Sequence, residues 1–341
     1  MKGSSNLDLL RAIAVMFVVV SHAPVLVGQP ATAYNVKALG HIGVAMFFVH
    51  TTLVLMHSLE RQRAELLPFL VRRVFRIYPL SITVVCLLAL AHWAGGQPMD
   101  MRTFLSNLLL VQNLTGADPK PHPLWTLPFE LQMYLVLPAI YAIARRSYAG
   151  VAALLLACVT LAALAGDGVS LNLLSFAPCF ICGALAYASR GHIVSHRAWL
   201  WAVVATGAIL IPLASAAGAP ELPMLWVLCL ALAFAIPRSP ELAPGRLATG
   251  AKLVATYSYG IYLTHVIAFG ASFLTPDTVP SGTHVVTFVV VLTAMSVLGY
   301  HLVEKPGIAL GIRLAARLRS RGSPVAAQPV PSQAGSQSPR P

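Results

Sequence analysis

Charge is what this sequence has least of. Only 10% of its 341 residues are charged and just 11 are acidic, while 57% are hydrophobic. A soluble domain of this length needs far more charge to cover its surface, so that class is excluded. Cysteine is sparse too, and badly placed for a disulfide framework. Cys86, Cys158, Cys179, Cys182 and Cys229 all lie within apolar stretches. Cys179 and Cys182 form a CxxC, but without partner ligands it reads as packing, and no metal site is expected. No small-residue cleavage site follows the first apolar run, which is therefore expected to be retained. Internal repeats are missing, and no appended soluble domain is expected. The net charge of +12 thus has no basic soluble domain to carry it, which argues against nucleic-acid binding.

What the chain does have is apolar runs of about 20 residues, the length that crosses a bilayer as a helix. Ten are predicted, at 9–27, 39–58, 77–95, 125–144, 149–165, 171–189, 199–217, 222–237, 251–273 and 283–303. With the N-terminus placed inside, all but three of the 23 basic residues fall on inner segments; Lys37, Arg102 and Lys120 are the exceptions. The expected fold is an all-α polytopic membrane bundle of about ten transmembrane helices, with both termini cytoplasmic and the lipid bilayer as its solvent. The membrane domain is expected over 1–312. A tail at 313–341 is basic and then, from Gly322 on, rich in Pro, Ser, Gln and Ala and expected to be disordered. The long outer loop 96–124 contains an apolar stretch, Phe104 to Val111, with the character of an interfacial helix.

Ionisable groups inside spans are costly, so each marks a candidate site. Arg11 and His22 lie eleven residues apart in the first span. That separation is roughly 20° past three full turns and about 16 Å of rise, so both sit on one face. Glu130, in the fourth span, lies about as far from its outer end as His22 does in the first. Equal depth would let the two act as a base and its orienting carboxylate. His50 falls mid-depth in the second span and His265 in the outer half of the ninth. Plainer readings stand beside these. Arg11 also reads as a snorkelling anchor, and His22, His50 and His265 as hydrogen-bonded packing residues. Glu130 needs a partner in either case. Arg72, Arg73 and Arg76 serve as topology signals or, with Arg72 and Arg76 one turn apart, as a preformed anion site. Glu304 and Lys305 read as a local interfacial pair.

Five segments in order resemble the acyltransferase 3 family of bacterial integral-membrane O-acyltransferases, over about residues 4–310. Leu7-Asp8-Leu9-Leu10-Arg11 followed by His22 resembles its Arg-x10-His signature, and Gly43 to Val49 its second-helix motif. Arg72-Arg73-Val74-Phe75-Arg76-Ile77-Tyr78-Pro79 is similar to RRxxRIxP. Trp125-Thr126-Leu127-Pro128-Phe129-Glu130 with Tyr134 is similar to W-S-L-x-x-E-x-x-x-Y, and Ser258 to His265 to S-Y-x-x-Y-L-x-H. His50-Thr51-Thr52 departs from the usual Leu-Ser-Gly, and Thr126 replaces Ser.

The resemblance implies an acyl-CoA donor, usually acetyl-CoA, arriving from the cytoplasm, with no permanently bound cofactor. It implies an acceptor hydroxyl on a saccharide or glycoconjugate and a place in the bacterial inner membrane. It makes His22 the catalytic histidine, Arg11 its essential partner and Glu130 a residue that holds or tunes the site. Arg72, Arg73 and Arg76 would bind coenzyme A phosphates. Trp125, Tyr134, Ser258, His265 and His50 would line the substrate pocket. The rival class, a transporter or flippase for a saccharide or anion, explains the buried polar residues equally well. It leaves the arginine element beside Arg-x10-His unexplained, and no inverted repeat supports it. The distribution of basic residues makes a direct prediction: reporter fusions at Asp118 and Asp277 read outside, and those at Arg146 and His196 inside. An inside signal at Asp118 breaks the ten-span topology.

Overall fold

The computed structural model describes residues 4–26, 34–61, 65–165, 173–189, 199–273 and 282–322. Among them every regular element is helical. The order is α1 (Ser5–Leu26), α2 (Val36–Arg61), α3 (Leu66–Ala94), α4 (Met101–Leu108) and α5 (Gln112–Thr115), then a 3₁₀ turn (His122–Thr126). It continues with α6 (Leu127–Ala144), α7 (Tyr148–Ala165), α8 (Leu173–Ala188), α9 (Trp199–Ala216), α10 (Glu221–Arg238), α11 (Arg246–Ser272) and α12 (Gly282–Gly299). A π turn (Tyr300–Glu304) leads without a break into α13 (Lys305–Gly322).

Each of the ten expected spans coincides with one of these helices, and eight stretches are long and apolar enough to cross a membrane. The two outside that set are α8, whose described part is 16 residues, and α11, whose apolar character is interrupted by Lys252, Thr256, Ser258 and His265. The loop helix expected near Phe104 is α4, capped where Asp100 accepts a hydrogen bond from the Thr103 amide at 2.9 Å. The basic segment after 312 is not a loose tail at its start, for α13 runs on to Gly322. The remainder, 323–341, lies outside the described residues.

α2 and α8 form the centre. α8 is buried at every position from Ser175 to Tyr187, including Cys179 and Cys182, and most of α2 is buried as well. A helix that is apolar all round belongs in an interior. Glycine permits the tightest crossings: a Cβ on Gly43 would meet the Ala14 carbonyl oxygen at 2.5 Å, and one on Gly183 would collide with the backbone of Val49 and with Thr52. α1 packs against α2 and α11, and α3 against α13, where Gly307 and Gly311 lie on Pro79 and Phe75. The periphery presents Leu87, Leu90, Leu156, Leu164, Val286 and Val290 outward. Such an apolar exterior suits acyl chains rather than water. The two ends of the bundle are polar. At the N-terminal end Asn6 Nδ2 donates to the Pro240 carbonyl at 2.8 Å and Arg319 Nε to Glu65 at 2.5 Å. At the other end the Asn35 amide donates to the Pro212 carbonyl at 3.2 Å.

The glycine crossings make a testable difference. Gly183→Leu overpacks a backbone contact, an effect of about 1–3 kcal/mol or more, and should lower the thermal midpoint of the detergent-solubilised protein. Gly250→Leu, at a position where a Cβ meets nothing within 4 Å, should leave it near wild type. Equal midpoints for both variants would refute the close α2–α8 contact.

Candidate active site

Two polar clusters occupy the core, one towards each end of α1. The first is a cavity of about 110 Å³, room for on the order of four water molecules at ~30 Å³ each. It lies between α1, α2, α3, α6 and α11. Arg11, His50, Arg73, Arg76, Glu130, Tyr134 and Ser258 supply its polar lining, and Tyr259, Tyr262, Phe47 and Phe48 its aromatic lining. Arg11 Nε donates to Ser258 Oγ at 2.7 Å, and Ser258 Oγ donates in turn to the Ala255 carbonyl at 2.8 Å. Tyr134 OH donates to Glu130 Oε1 one turn back on α6. Arg73 stacks over Phe69 at 5.9 Å with its Nε buried and unpaired. Arg76 stacks over Tyr259 at 5.7 Å and pairs with Glu304, which is fully buried.

Glu304 was expected to pair locally with Lys305. It pairs with Arg76 because the π turn at Tyr300–Glu304 widens the helix by one residue and turns this carboxylate inward against α3. The arginine geometry also departs from expectation. Arg73 and Arg76 line the cavity, whereas Arg72 does not; it lies towards Glu65 and Arg319 beside α13. With Arg76 paired to Glu304, Arg11 and Arg73 face one lining carboxylate, Glu130, which leaves the cavity with a net positive charge that calls for an anionic partner.

The second cluster is imidazole-rich. The His22 ring lies 4.9 Å from that of His265 and 5.7 Å from that of His122, both edge-on. The hydrogen bonds fix the tautomers. His265 Nδ1 donates to the Tyr262 carbonyl at 2.8 Å, so its Nε2 carries a lone pair, 3.3 Å from His22 Nδ1. His22 Nδ1 also lies 2.9 Å from the Val18 carbonyl and 3.2 Å from Ser21 Oγ, whose own proton goes to Val18 at 2.7 Å. Every neighbour of His22 Nδ1 is an acceptor. Nδ1 therefore carries the proton, and Nε2 is left with a free lone pair.

α1 meets α11 at both levels, Arg11 on Ser258 and His22 on His265, which is the shared face read from the eleven-residue spacing. Glu130 does not join His22. Its hydrogen bond is to Tyr134, and it lines the cavity with Arg11. The reason lies in the turn before α6. His122, not Glu130, stands at the level of His22. From there the 3₁₀ turn and the first turn of α6 descend roughly 14 Å to Glu130. That turn is anchored by Tyr262, whose hydroxyl donates to the Pro123 carbonyl at 2.7 Å and lies 2.7 Å from Thr126 Oγ1.

Of the expected pocket residues, Tyr134, Ser258 and His50 line the cavity. Trp125 and His265 do not: His265 belongs to the imidazole cluster, and Trp125 packs edge-on to His41, with ring centroids 6.4 Å apart. Tyr262 joins the clusters, lining the cavity while its ring sits 6.3 Å from that of His265. The residues that sequence reasoning missed are His122 and His41, and it gave Glu304 the wrong partner. His122 lies in the turn before α6, where nothing in the sequence signals depth, and His41 stands near the start of α2 with no partner legible along the chain.

Comparison with known proteins identifies the family and does so through one match. No curated protein and no solved structure matches the chain. The acyltransferase domain of the acyltransferase 3 family matches residues 4–301, nearly all of the helical bundle. A transporter reading is thereby set aside: the chain belongs to the acyltransferase 3 family and is a membrane acyltransferase.

Proposed function

We propose that the protein transfers an acyl group, acetyl in the simplest case, from acyl-CoA to a hydroxyl of a saccharide or glycoconjugate. One observation carries the donor half: the cavity is lined by Arg11, Arg73 and Arg76 against a single lining carboxylate, Glu130. Coenzyme A is multiply phosphorylated, and guanidinium groups bind phosphate through paired, charge-assisted hydrogen bonds. The basic residues of the sequence predict that this end faces the cytoplasm, where acyl-CoA is available. An extended pantetheine arm along α1 would carry the thioester from the level of Arg11 towards His22, about 16 Å further by helix rise.

His22 Nε2 is the base in this reading. It takes the acceptor hydroxyl proton as the oxygen attacks the thioester carbonyl, and returns that proton to the departing coenzyme A sulfur. The imidazolium formed in between is steadied through its Nδ1–H by the Val18 carbonyl and the His265 lone pair. His265 thus takes the role that sequence reasoning gave to Glu130. Glu130 instead offsets the arginine charge and, through Tyr134, shapes the donor cavity.

Two measurements test this. His22→Ala should insert normally and bind coenzyme A, yet lose roughly 10²–10⁴-fold in transfer rate, the usual cost of removing a general base. His265→Phe should lose less, and His50→Ala should act mainly on donor KM, because His50 lines the donor cavity. Wild-type rates in His22→Ala would sink the mechanism, and a selective loss of turnover at His50 would move the reacting centre into the cavity. For the donor, calorimetry on Arg73→Ala and Arg76→Ala should each show affinity reduced by about tenfold or more, with Arg72→Ala much nearer wild type. An equal loss at Arg72 would mean that phosphates bind outside the cavity.

A further inference from the structure

A histidine–carboxylate pair stands at the end of the bundle away from the arginines. His41 Nδ1 lies 2.5 Å from Glu221 Oε2. The other carboxylate oxygen accepts from Ser215 Oγ at 2.5 Å and from Asn35 Nδ2 at 3.2 Å, and Asn35 Nδ2 also donates to Ser215 Oγ at 2.8 Å. Three helices and a loop therefore converge to fix one carboxylate, and that carboxylate fixes the His41 tautomer. In the neutral ring, with Nδ1–H given to Glu221, His41 Nε2 is a hydrogen-bond acceptor on a side chain that is 48% exposed.

Its position is as specific as its chemistry. The neighbouring Gly40 packs directly on Ser21, since a Cβ there would collide with the Ser21 hydroxyl. His41 therefore stands at the level of His22. Its ring meets Trp125 edge-on, and three residues before Trp125 is His122, itself 5.7 Å from His22. His22, His41 and His122 thus stand at one end of the bundle, His22 half-buried and His41 and His122 exposed.

We propose that this histidine-lined end of the bundle binds the acceptor and that His41, held by Glu221, is a positioning residue for it. The acceptor fitted is a neutral, polyhydroxylated one of the carbohydrate type. His41 Nε2 accepts a hydrogen bond from one hydroxyl, leaving a neighbouring hydroxyl for His22 Nε2. Glu221 is engaged by three donors within the protein, so these histidines present ring nitrogens and an aromatic edge rather than a free anion. Such a lining suits hydroxyl donors and gives a cationic acceptor no charged partner. The inference rests on the acyl-transfer reading and adds the acceptor side to it.

The test uses the full detergent-solubilised chain, acetyl-CoA as donor and a panel of methyl pyranosides as acceptors. His41→Phe keeps the ring against Trp125 and removes both nitrogens; Glu221→Gln keeps the shape and weakens the hold on His41. Both should bind acetyl-CoA as wild type does, while the acceptor KM rises roughly three- to tenfold, the cost of one lost hydrogen bond, and kcat changes less. Ser215→Ala, which loosens the same network without touching His41, serves as the folding control. An unchanged acceptor KM in both variants, with thermal midpoints falling as in Ser215→Ala, would make the network a tether between helices and overturn the proposal. So would a wild-type protein that binds acetyl-CoA but acetylates no pyranoside. Failure of the wild type to bind acetyl-CoA would strike the donor reading instead.

Discussion

A guanidinium group inside an apolar bundle is tolerated only where other groups replace its water, and this protein holds three around one cavity. Much of the local architecture follows from that constraint. Arg11 is held by a serine of α11, Arg76 by a carboxylate that a π turn brings in from the end of α12, and both Arg73 and Arg76 lie against aromatic faces. Glu130 supplies the one lining carboxylate. Full neutralisation would have made a closed structural network. The remaining positive charge is what the phosphates of the proposed donor would meet.

The imidazole cluster obeys a different rule. Its members are arranged through lone pairs and N–H groups, without a carboxylate on His22. Main-chain carbonyls of α1 and α11 accept from the Nδ1 atoms of His22 and His265, so the free Nε2 of His22 depends on helix geometry rather than on a charged neighbour. The charged cavity and the imidazole cluster are separate, bridged by Tyr262, and in the proposed function they serve donor and acceptor respectively. The ten helices provide the distance between them, and the pairing of α1 with α11 provides the line along which they communicate.

Several of these features were legible in one dimension. Apolar runs of membrane-spanning length impose helices because no other backbone hydrogen-bonding pattern is self-sufficient there, and each expected span is a helix. The shared face of Arg11 and His22 follows from helical periodicity alone, and both residues meet α11 as that face requires. Order within one helix is local information, and the sequence carries it fully.

Depth and lateral partnership are not local, and there the sequence misled. Glu130 matched His22 in distance from a span end, but the chain reaches the level of His22 at His122 and descends through the 3₁₀ turn His122–Thr126 before α6 begins, so the carboxylate sits at the level of Arg11. Arg72 and Arg76 shared a face on paper, yet the neighbouring helices opened the cavity on the side of Arg73. Glu304 found Arg76, 228 positions away in sequence, because one extra residue in a turn rotated it inward. His122 came to His22 from the turn before α6, and His41, near the start of α2, came to Trp125 of the same turn. The sequence by itself determined the helices, their apolar faces and the polar stripe of α1. Only the packing of helix on helix decided which polar groups meet, because a side chain's partner depends on the rotation and depth of every helix around it, and those are set by close contacts such as Gly43 on Ala14 and Gly183 on Val49.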